Sequence, residues 1–183
     1  MVSDWSEASR ALAEIDFVSV VLVTMAFNRS SIDEDATLHK LGTGASGFLV
    51  PRNETPMITA CSFSSQKWAH LDGDELLVRV SLGHAGADAV IQATESDIIA
   101  TVTRDLSTTL GITADPLAVR ISRWRDSFPQ YHVGHVDRVA LIDEQLAPSG
   151  IFAAGASIAG IGIPACIHQG RTAAREAIAY LNG

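Results

Sequence analysis

Cysteine and aromatic side chains are scarce in this sequence, and basic residues are outnumbered by acidic ones. Two cysteines among 183 residues cannot build a disulfide framework, so a reducing compartment is expected. Thirteen basic residues face twenty-one acidic ones, which gives a net charge of −8, and no polybasic run occurs. This charge balance argues against a nucleic-acid groove and against an anionic membrane surface as partners.

Long apolar runs are also missing. The apolar run Phe17–Phe27 is too short to span a bilayer, which takes about 20 residues. The uncharged stretch Ile151–Ile167 is interrupted by glycines and a proline and is therefore interpreted as a loop. The first ten residues lack the cationic and apolar parts of a secretory signal. With 47% hydrophobic and 19% charged residues, the chain is predicted to be a cytoplasmic globular protein with a buried core.

The first two thirds of the sequence are typical of a sheet. Predicted strands cover Phe17–Thr24, Ser46–Val50, Met57–Phe63, Leu76–Leu82 and Leu117–Ile121. The first four have no helical patterns between them, so an antiparallel or mixed sheet is favoured over a doubly wound one. One amphipathic helix begins at the capping sequence Thr94–Asp97 and ends at Gly111. Another is predicted from Ser3 to about Ala13.

The character of the sequence changes after Trp124. A helix is predicted over Val136–Leu146, followed by a short strand at Ile151–Ala154, a glycine-rich loop and an alanine-rich helix opened by Pro164. We therefore predict an α+β fold. Residues 1–125 form a part with a mixed or antiparallel sheet, and residues 126–183 form a strand–loop–helix unit.

The glycine-rich loop carries the strongest chemical signal. Gly160, Gly162 and Ala165 satisfy the spacing G-x-G-x-x-G/A, in which glycines let the backbone approach a ligand and the helix start offers free N–H groups. A dinucleotide fingerprint also needs a second strand and an acidic residue about 20 positions later, whereas only residues 166–183 follow. The loop therefore either caps a flavin ring or another electron-rich group, or is a turn that close packing requires.

Trp124 is the second signal. Side chains alternate along a strand, so Trp124 lies on the same face as Arg120 and Ser122 and not on the apolar face. On that face its ring either stacks on a ligand or is covered by another domain. His132 and His135 have a spacing that suits a metal, but no carboxylate or thiol cluster accompanies them, and packing or surface roles are favoured. No catalytic acid, base or nucleophile is predicted. Any chemistry then belongs to a cofactor.

Six segments together resemble one family. They are GFLVPR from Gly47, ITACSF from Ile58 followed by Lys67-Trp68, LGI from Leu110, Arg123-Trp124, PQY from Pro129 with VGH from Val133, and GIGIPACI from Gly160. In this order they resemble the C-terminal portion of the bacterial FAD-dependent protoporphyrinogen/coproporphyrinogen III oxidases, of the actinobacterial type. The resemblance runs from about Ala11 to the end.

The resemblance implies a flavoprotein of haem biosynthesis. Its substrate is a porphyrinogen, preferably coproporphyrinogen III in Gram-positive lineages, and O2 reoxidises the flavin. By resemblance, the FAD contacts are Trp124, Gly160, Ile161 and Gly162. Residues 1–125 correspond to part of the substrate-binding domain, and residues 126–183 to the C-terminal element of a split, Rossmann-like FAD-binding domain.

Two positions depart from the family pattern, and the family's N-terminal part has no counterpart. Ile158 stands where an aromatic residue is usual, and Ala165 stands where an acidic residue is frequent. The chain is therefore expected to be inactive alone and to share FAD with the missing N-terminal half or with a homo-oligomer. Two alternatives stay open: a non-catalytic porphyrin- or partner-binding module derived from the family, and another flavin family such as the amine oxidases or phytoene desaturases.

Overall fold

The structure, a computed structural model, describes residues 5–33, 45–54, 57–84 and 89–183. It divides into two compact units. Unit 1 comprises Met1–Val18 and Asp126–Gly183, and unit 2 comprises Ser19–Arg125. The sequence interpretation grouped all residues before 126, whereas the segment before Ser19 belongs with the last third of the chain. Its helix packs on a helix of that last third, a long-range contact that no local pattern reveals.

Unit 2 is built on a five-stranded sheet. Strands β1 to β5 cover Phe17–Asn28, Gly47–Leu49, Ile58–Phe63, Glu75–Leu82 and Ala118–Pro129. Their order in the sheet is β2-β3-β4-β1-β5, and the pairs β2/β3, β3/β4 and β4/β1 are antiparallel. The first residues of β1 and the last of β5 belong to unit 1. The predicted α+β class with an antiparallel sheet is confirmed.

Seven α-helices lie in the described residues. Helices α1 to α7 cover Ser6–Ala13, Ser64–Lys67, Ala89–Gln92, Glu95–Leu110, His135–Leu146, Ala156–Ala159 and Ile163–Asn182. Short 3-10 turns occupy Arg29–Ser31, Ala69–Leu71 and Ala147–Ser149. The predicted cap residue Ser3 lies outside the described part, so the start of α1 at Ser6 is not tested against it.

Helix α4 covers one face of the sheet and forms the core of unit 2 with it. Its start and end follow the prediction: the Thr94 side chain accepts a hydrogen bond from the Asp97 N–H, and Gly111 adopts the left-handed conformation at the C-terminus. Ile98, Val102 and Leu106 are buried. They pack against the sheet face made by alternate residues of β1, β3 and β4, namely Val21, Val23, Met25, Phe27, Cys61, Phe63, Leu76, Val78, Val80 and Leu82.

Unit 1 has a small core between α1 and α5. Ala8 and Ala11 of α1 are buried with Ile142 and Leu146 of α5, and Ala153 packs against them. The small alanine side chains let the two helices approach closely. This packing accounts for the grouping of the N-terminal segment with residues 126–183.

Two predictions about the last third are wrong. The predicted strand at Ile151–Ala154 is not among the strands of the described residues, because no neighbouring strand lies beside it to complete a ladder. Conversely, β5 continues to Pro129, well beyond Ile121, where the predicted strand ends. A proline is tolerated there because it ends the strand and need not donate to a ladder.

Candidate functional site

The glycine-rich loop, Gly155–Gly162, contains the short helix α6 and leads into α7, and its backbone at two positions is one that only glycine adopts readily. Gly155 has φ +135° and Gly160 has φ +118°, both outside the range that L side chains favour. A Cβ on Gly160 would lie 3.0 Å from the Ala165 Cβ, so the loop passes close over the first turn of α7. Pro164 stands in that first turn, as predicted, and no side chain caps the helix start.

Tyr131 braces this loop. The Gly160 N–H donates a hydrogen bond of 2.8 Å to the Tyr131 hydroxyl oxygen, and the hydroxyl donates to the Ala156 carbonyl. Tyr131 therefore joins the start of α6 to the residue that follows its end. The Tyr131 side chain, from the segment after β5, thus fixes the distance between the two ends of α6.

Gln169, on α7, braces the loop from the other side. The Gly155 N–H donates to the Gln169 Oε1 at 3.2 Å, and the Gln169 Nε2 donates to the Gly160 carbonyl at 3.4 Å. The Cys166 thiol also donates to the Gly160 carbonyl, at 3.5 Å. The loop conformation is therefore fixed by side chains at both ends rather than by its own backbone bonds alone.

His135 completes the support. Its ring stacks on the Tyr131 ring, and its Nε2 lies 2.8 Å from the carbonyl oxygen of Ile158. His132, which sequence analysis paired with His135 as metal-spaced, instead lies 3.1 Å from Asp16. Sequence analysis missed the bracing roles of Tyr131, His135 and Gln169. The available signal was the i, i+4 spacing of Tyr131 and His135, which lets two rings meet across a helix start.

Trp124 lies on β5 in unit 2, and the residue is 53% exposed. Val119 and Ile121 pack against the core, and the Arg123 guanidinium donates to the Ala93 carbonyl at 2.8 Å. Because side chains alternate along a strand, Trp124 lies on the opposite, open face of the sheet. The glycine loop belongs to unit 1, so these two predicted flavin contacts occupy different units.

The loop region suits a flat, partly polar ring such as an isoalloxazine. Ile161 is 46% exposed and Ile163 77% exposed, so apolar side chains flank the uncapped N-terminus of α7. Gly162 has no side chain to shield the backbone, and a Cβ there would meet only the Pro164 ring. Apolar contact beside backbone N–H donors is the environment that an aromatic ring with carbonyl oxygens requires.

A cavity of about 300 Å³ in unit 1 is lined by α5, the loop and α7. Asp143, His168 and Gln169 are among its lining residues. Burial raises the pKa of the Asp143 carboxyl above its ordinary value, so this group keeps its proton to a higher pH than an exposed aspartate does. Gln169 connects this cavity to the loop through the hydrogen bonds described above.

Other candidate groups do not converge on a reactive centre. Cys61 is buried in β3, and burial raises the pKa of its thiol to about 12, so it behaves as a small apolar side chain. Across the described ranges, no three His, Cys, Asp or Glu side chains gather as metal ligands would. Helices long and apolar enough to cross a bilayer are likewise absent from the described residues.

Comparison with known proteins decides the family. The family described as "Flavin containing amine oxidoreductase" matches residues 2–178. The chain belongs to this flavin-containing amine oxidoreductase family. The predicted resemblance is therefore confirmed. Because members of this family contain a flavin, the match also supports FAD as the cofactor. The fold of unit 2 and the braced glycine loop of unit 1 are accordingly parts of a flavoprotein architecture.

Several relatives that match most of this chain are named as porphyrinogen oxidases. The chain is 36% identical over 173 residues to the coproporphyrinogen III oxidase of Bacillus subtilis, covering 93% of this chain and 35% of the relative. It is 37% identical over 137 residues to that of Mycobacterium tuberculosis, covering 75% and 30%. A solved structure of a candidate protoporphyrinogen oxidase from Exiguobacterium sp. 255-15 superposes with TM-score 0.73 and 31% identity, covering 87% and 34%. The chain thus spans about a third of the length of these relatives.

Proposed function

We propose that this chain supplies part of an FAD-dependent oxidase that converts coproporphyrinogen III, or protoporphyrinogen IX, to the porphyrin in the cytoplasm during haem biosynthesis. Electrons from the porphyrinogen pass to O2. The observation that carries the proposal is the braced glycine loop at the uncapped N-terminus of α7, in a chain whose relatives are coproporphyrinogen III oxidases. Unit 1 would hold the flavin ring, and unit 2 would face the porphyrinogen.

The proposal assigns flavin contacts to three residues of unit 1 and, separately, to Trp124 of unit 2. The backbone of Gly160, Ile161 and Gly162 approaches the ring edge, where free N–H groups of the helix start attract electron-rich oxygen. Trp124 adds an aromatic surface from β5, supported by its exposed ring on the open face of the sheet. When bound, a flavin supplies the redox chemistry, accepting hydride equivalents from the porphyrinogen and delivering them to O2.

In this proposal the side chains of the chain position the loop and exclude water from the flavin, and they do not themselves react. Tyr131, His135 and Gln169 hold the loop in one conformation, which removes the entropic cost of ordering it around a ligand. Ile161 and Ile163 exclude water from the ring edge. None of the groups in this arrangement is an acid or base aimed at a substrate, consistent with chemistry that belongs to the cofactor.

The chain matches about a third of the length of these relatives, and the proposal assigns part of the flavin site to sequence that corresponds to the rest. We therefore expect the isolated chain to purify colourless and to gain stoichiometric flavin only when it is combined with the unmatched part of a relative. Visible absorbance near the flavin bands measures this directly. Stoichiometric flavin and turnover in the 183-residue chain alone would contradict the division.

A second candidate function is a non-catalytic module that binds a porphyrin or a protein partner. It is favoured by the long helix α7, none of whose residues is buried. Four apolar side chains of α7 are exposed, namely Ile163, Ile167, Ile178 and Leu181. Large apolar side chains exposed along one helix are typical of a surface that a partner covers. Separate titrations with coproporphyrin III and FAD discriminate the two functions: coproporphyrin binding that is unchanged by any added flavin-binding portion favours the module.

A further inference from the structure

We propose that Lys67 and Arg79 form a carboxylate clamp on the open face of the unit 2 sheet, and that this clamp binds a propionate group of the tetrapyrrole. The inference rests on the proposed function for the identity of the ligand. It goes beyond that function by naming the side chains that recognise the charged substituents of the substrate. Both side chains belong to unit 2.

Strand register places Arg79 in a row across four strands that consists of three polar side chains and one glycine. Gly47 of β2 pairs with Ser62 of β3, Ser62 pairs with Arg79 of β4, and Arg79 pairs with Thr24 of β1. The flanking residues in these strands, such as Cys61, Val80 and Val23, are buried in the core. Alternation along each strand therefore puts the polar row on the face that α4 does not cover.

A cavity of about 380 Å³ opens over this row. Lys67 and Arg79 line it, together with three serines, Ser46, Ser62 and Ser81. Lys67 ends the short helix α2, which packs against β4. Two cations and three hydroxyl groups around one cavity make a donor set for an oxyanion, because an arginine fork and a lysine ammonium can share one carboxylate.

The charged residues that line the cavity are positive, whereas the net charge of the whole chain is negative. The chain carries a net charge of −8, yet no acidic residue lines this cavity. Arg29, Arg123 and Arg138 each form an ion pair with a carboxylate, whereas Lys67 and Arg79 form none within the described residues. Cations that no protein carboxylate neutralises are available to a carboxylate ligand.

The next row of the same face is mainly apolar. Leu49 of β2 pairs with Ala60 of β3, and Ala60 pairs with Ser81 of β4, which pairs with Leu22 of β1. Leu49 is 81% exposed, an unusual state for a leucine beside a cavity. The face therefore sets a cationic row beside an apolar one. A flat apolar macrocycle with carboxylate substituents has the matching pattern.

Arg52 is another exposed cation of unit 2 that a carboxylate ligand could bind, but it does not line the cavity at Arg79. It lines a different cavity, of about 110 Å³, whose other lining residues include Glu54. That cavity therefore contains an acidic residue as well as a cation, whereas no acidic residue lines the cavity at Arg79. Arg52→Gln is therefore a matched control for Arg79→Gln: both remove one exposed arginine charge from unit 2.

Fluorescence titration of the full 183-residue chain with coproporphyrin III tests the clamp. Arg79→Gln and Lys67→Gln are each expected to weaken binding about tenfold. Arg79→Lys retains most of the affinity because it keeps a charge, and Arg52→Gln binds as the wild type does. Raising the salt concentration weakens the wild type more than Arg79→Gln. Circular dichroism melting confirms that each variant is folded.

Three outcomes would overturn the clamp. The first is wild-type affinity in both glutamine variants, and the second is the absence of coproporphyrin binding to the wild-type chain. The third is displacement of coproporphyrin by millimolar pyrophosphate but not by succinate, which would assign the cations to a phosphate group. Failure of the proposed function looks different: Arg79-dependent coproporphyrin binding would persist in a protein that performs no flavin-dependent oxidation.

Discussion

The ring of Tyr131 lies flat against the imidazole of His135, with centroids 3.9 Å apart and planes 9° apart. This pair is the support beneath the glycine loop, because the Tyr131 hydroxyl bonds Gly160 and Ala156 while His135 bonds Ile158. Two aromatic residues outside the loop thus determine the conformation of the segment proposed to contact the flavin.

Tyr131→Phe removes the hydroxyl and keeps the ring stack. We expect it to cost about 1 kcal/mol, because the Gly160 N–H loses its partner, and to speed hydrogen exchange at that amide. Hydrogen exchange measured residue by residue checks this. The matched control is Tyr180→Phe, which loses only one bond, at 3.3 Å, to the Pro148 carbonyl. Equal exchange rates at Gly160 in wild type and Tyr131→Phe would refute the bracing role.

Gly160→Ala tests the loop backbone. A Cβ at φ +118°, 3.0 Å from the Ala165 Cβ, is strained on both counts, so we expect about 1–3 kcal/mol of destabilisation. Gly170→Ala is the control, since Gly170 lies inside α7 with nothing within 4 Å of a new Cβ. It is expected to stabilise by about 0.5–1 kcal/mol. Urea denaturation measures both changes, and opposite signs are required.

Asp105 fixes the start of β3. Its buried carboxylate accepts hydrogen bonds from the N–H groups of Met57, at 2.7 Å, and Ile58, at 3.2 Å. Asp105→Ala leaves both donors without this partner and is expected to cost about 2–4 kcal/mol. Asp115→Ala, at an exposed position, is the control and should change the free energy of unfolding by less than about 0.5 kcal/mol.

Cys61 predicts the alkaline behaviour of the protein. Burial raises its thiol pKa from 9.0 to about 12, so the folded state holds a proton that the unfolded state loses. Stability therefore falls as pH rises through the interval from 9 to 12, by about 2 kcal/mol at pH 10.5. In Cys61→Ala this share of the pH dependence disappears. Denaturation at pH 8 and pH 10.5 compares the two proteins, and an identical pH dependence would show that Cys61 contributes nothing.

Much of unit 2 could be predicted from the sequence because helix caps and strand alternation depend only on neighbouring residues. The cap at Thr94, the stop at Gly111 and the alternation along β3 and β4 each depend on a few neighbouring residues. The exposed face of Trp124 followed from parity alone. In these elements propensity, pattern and packing agree, which is why the sequence sufficed.

The rest depended on contacts between residues far apart in sequence. A strand at Ile151–Ala154 was expected from composition, but a strand exists only beside a partner, which no local pattern supplies. Tyr131 bonds loop residues that lie 25 and 29 positions away in the sequence. Gln169 bonds loop residues that lie 9 and 14 positions away. The pairing of Arg79 with Ser62 and Thr24 likewise became visible only with strand register.

One measurement tests the central claim most directly. This chain replaces the matched third of the Bacillus subtilis coproporphyrinogen III oxidase, and the purified chimera is assayed for bound flavin and for coproporphyrin III formed from coproporphyrinogen III with consumption of O2. We expect a yellow, active chimera whose activity falls with Gly160→Ala and persists with Gly170→Ala. A folded chimera that binds flavin yet forms no coproporphyrin III would contradict it.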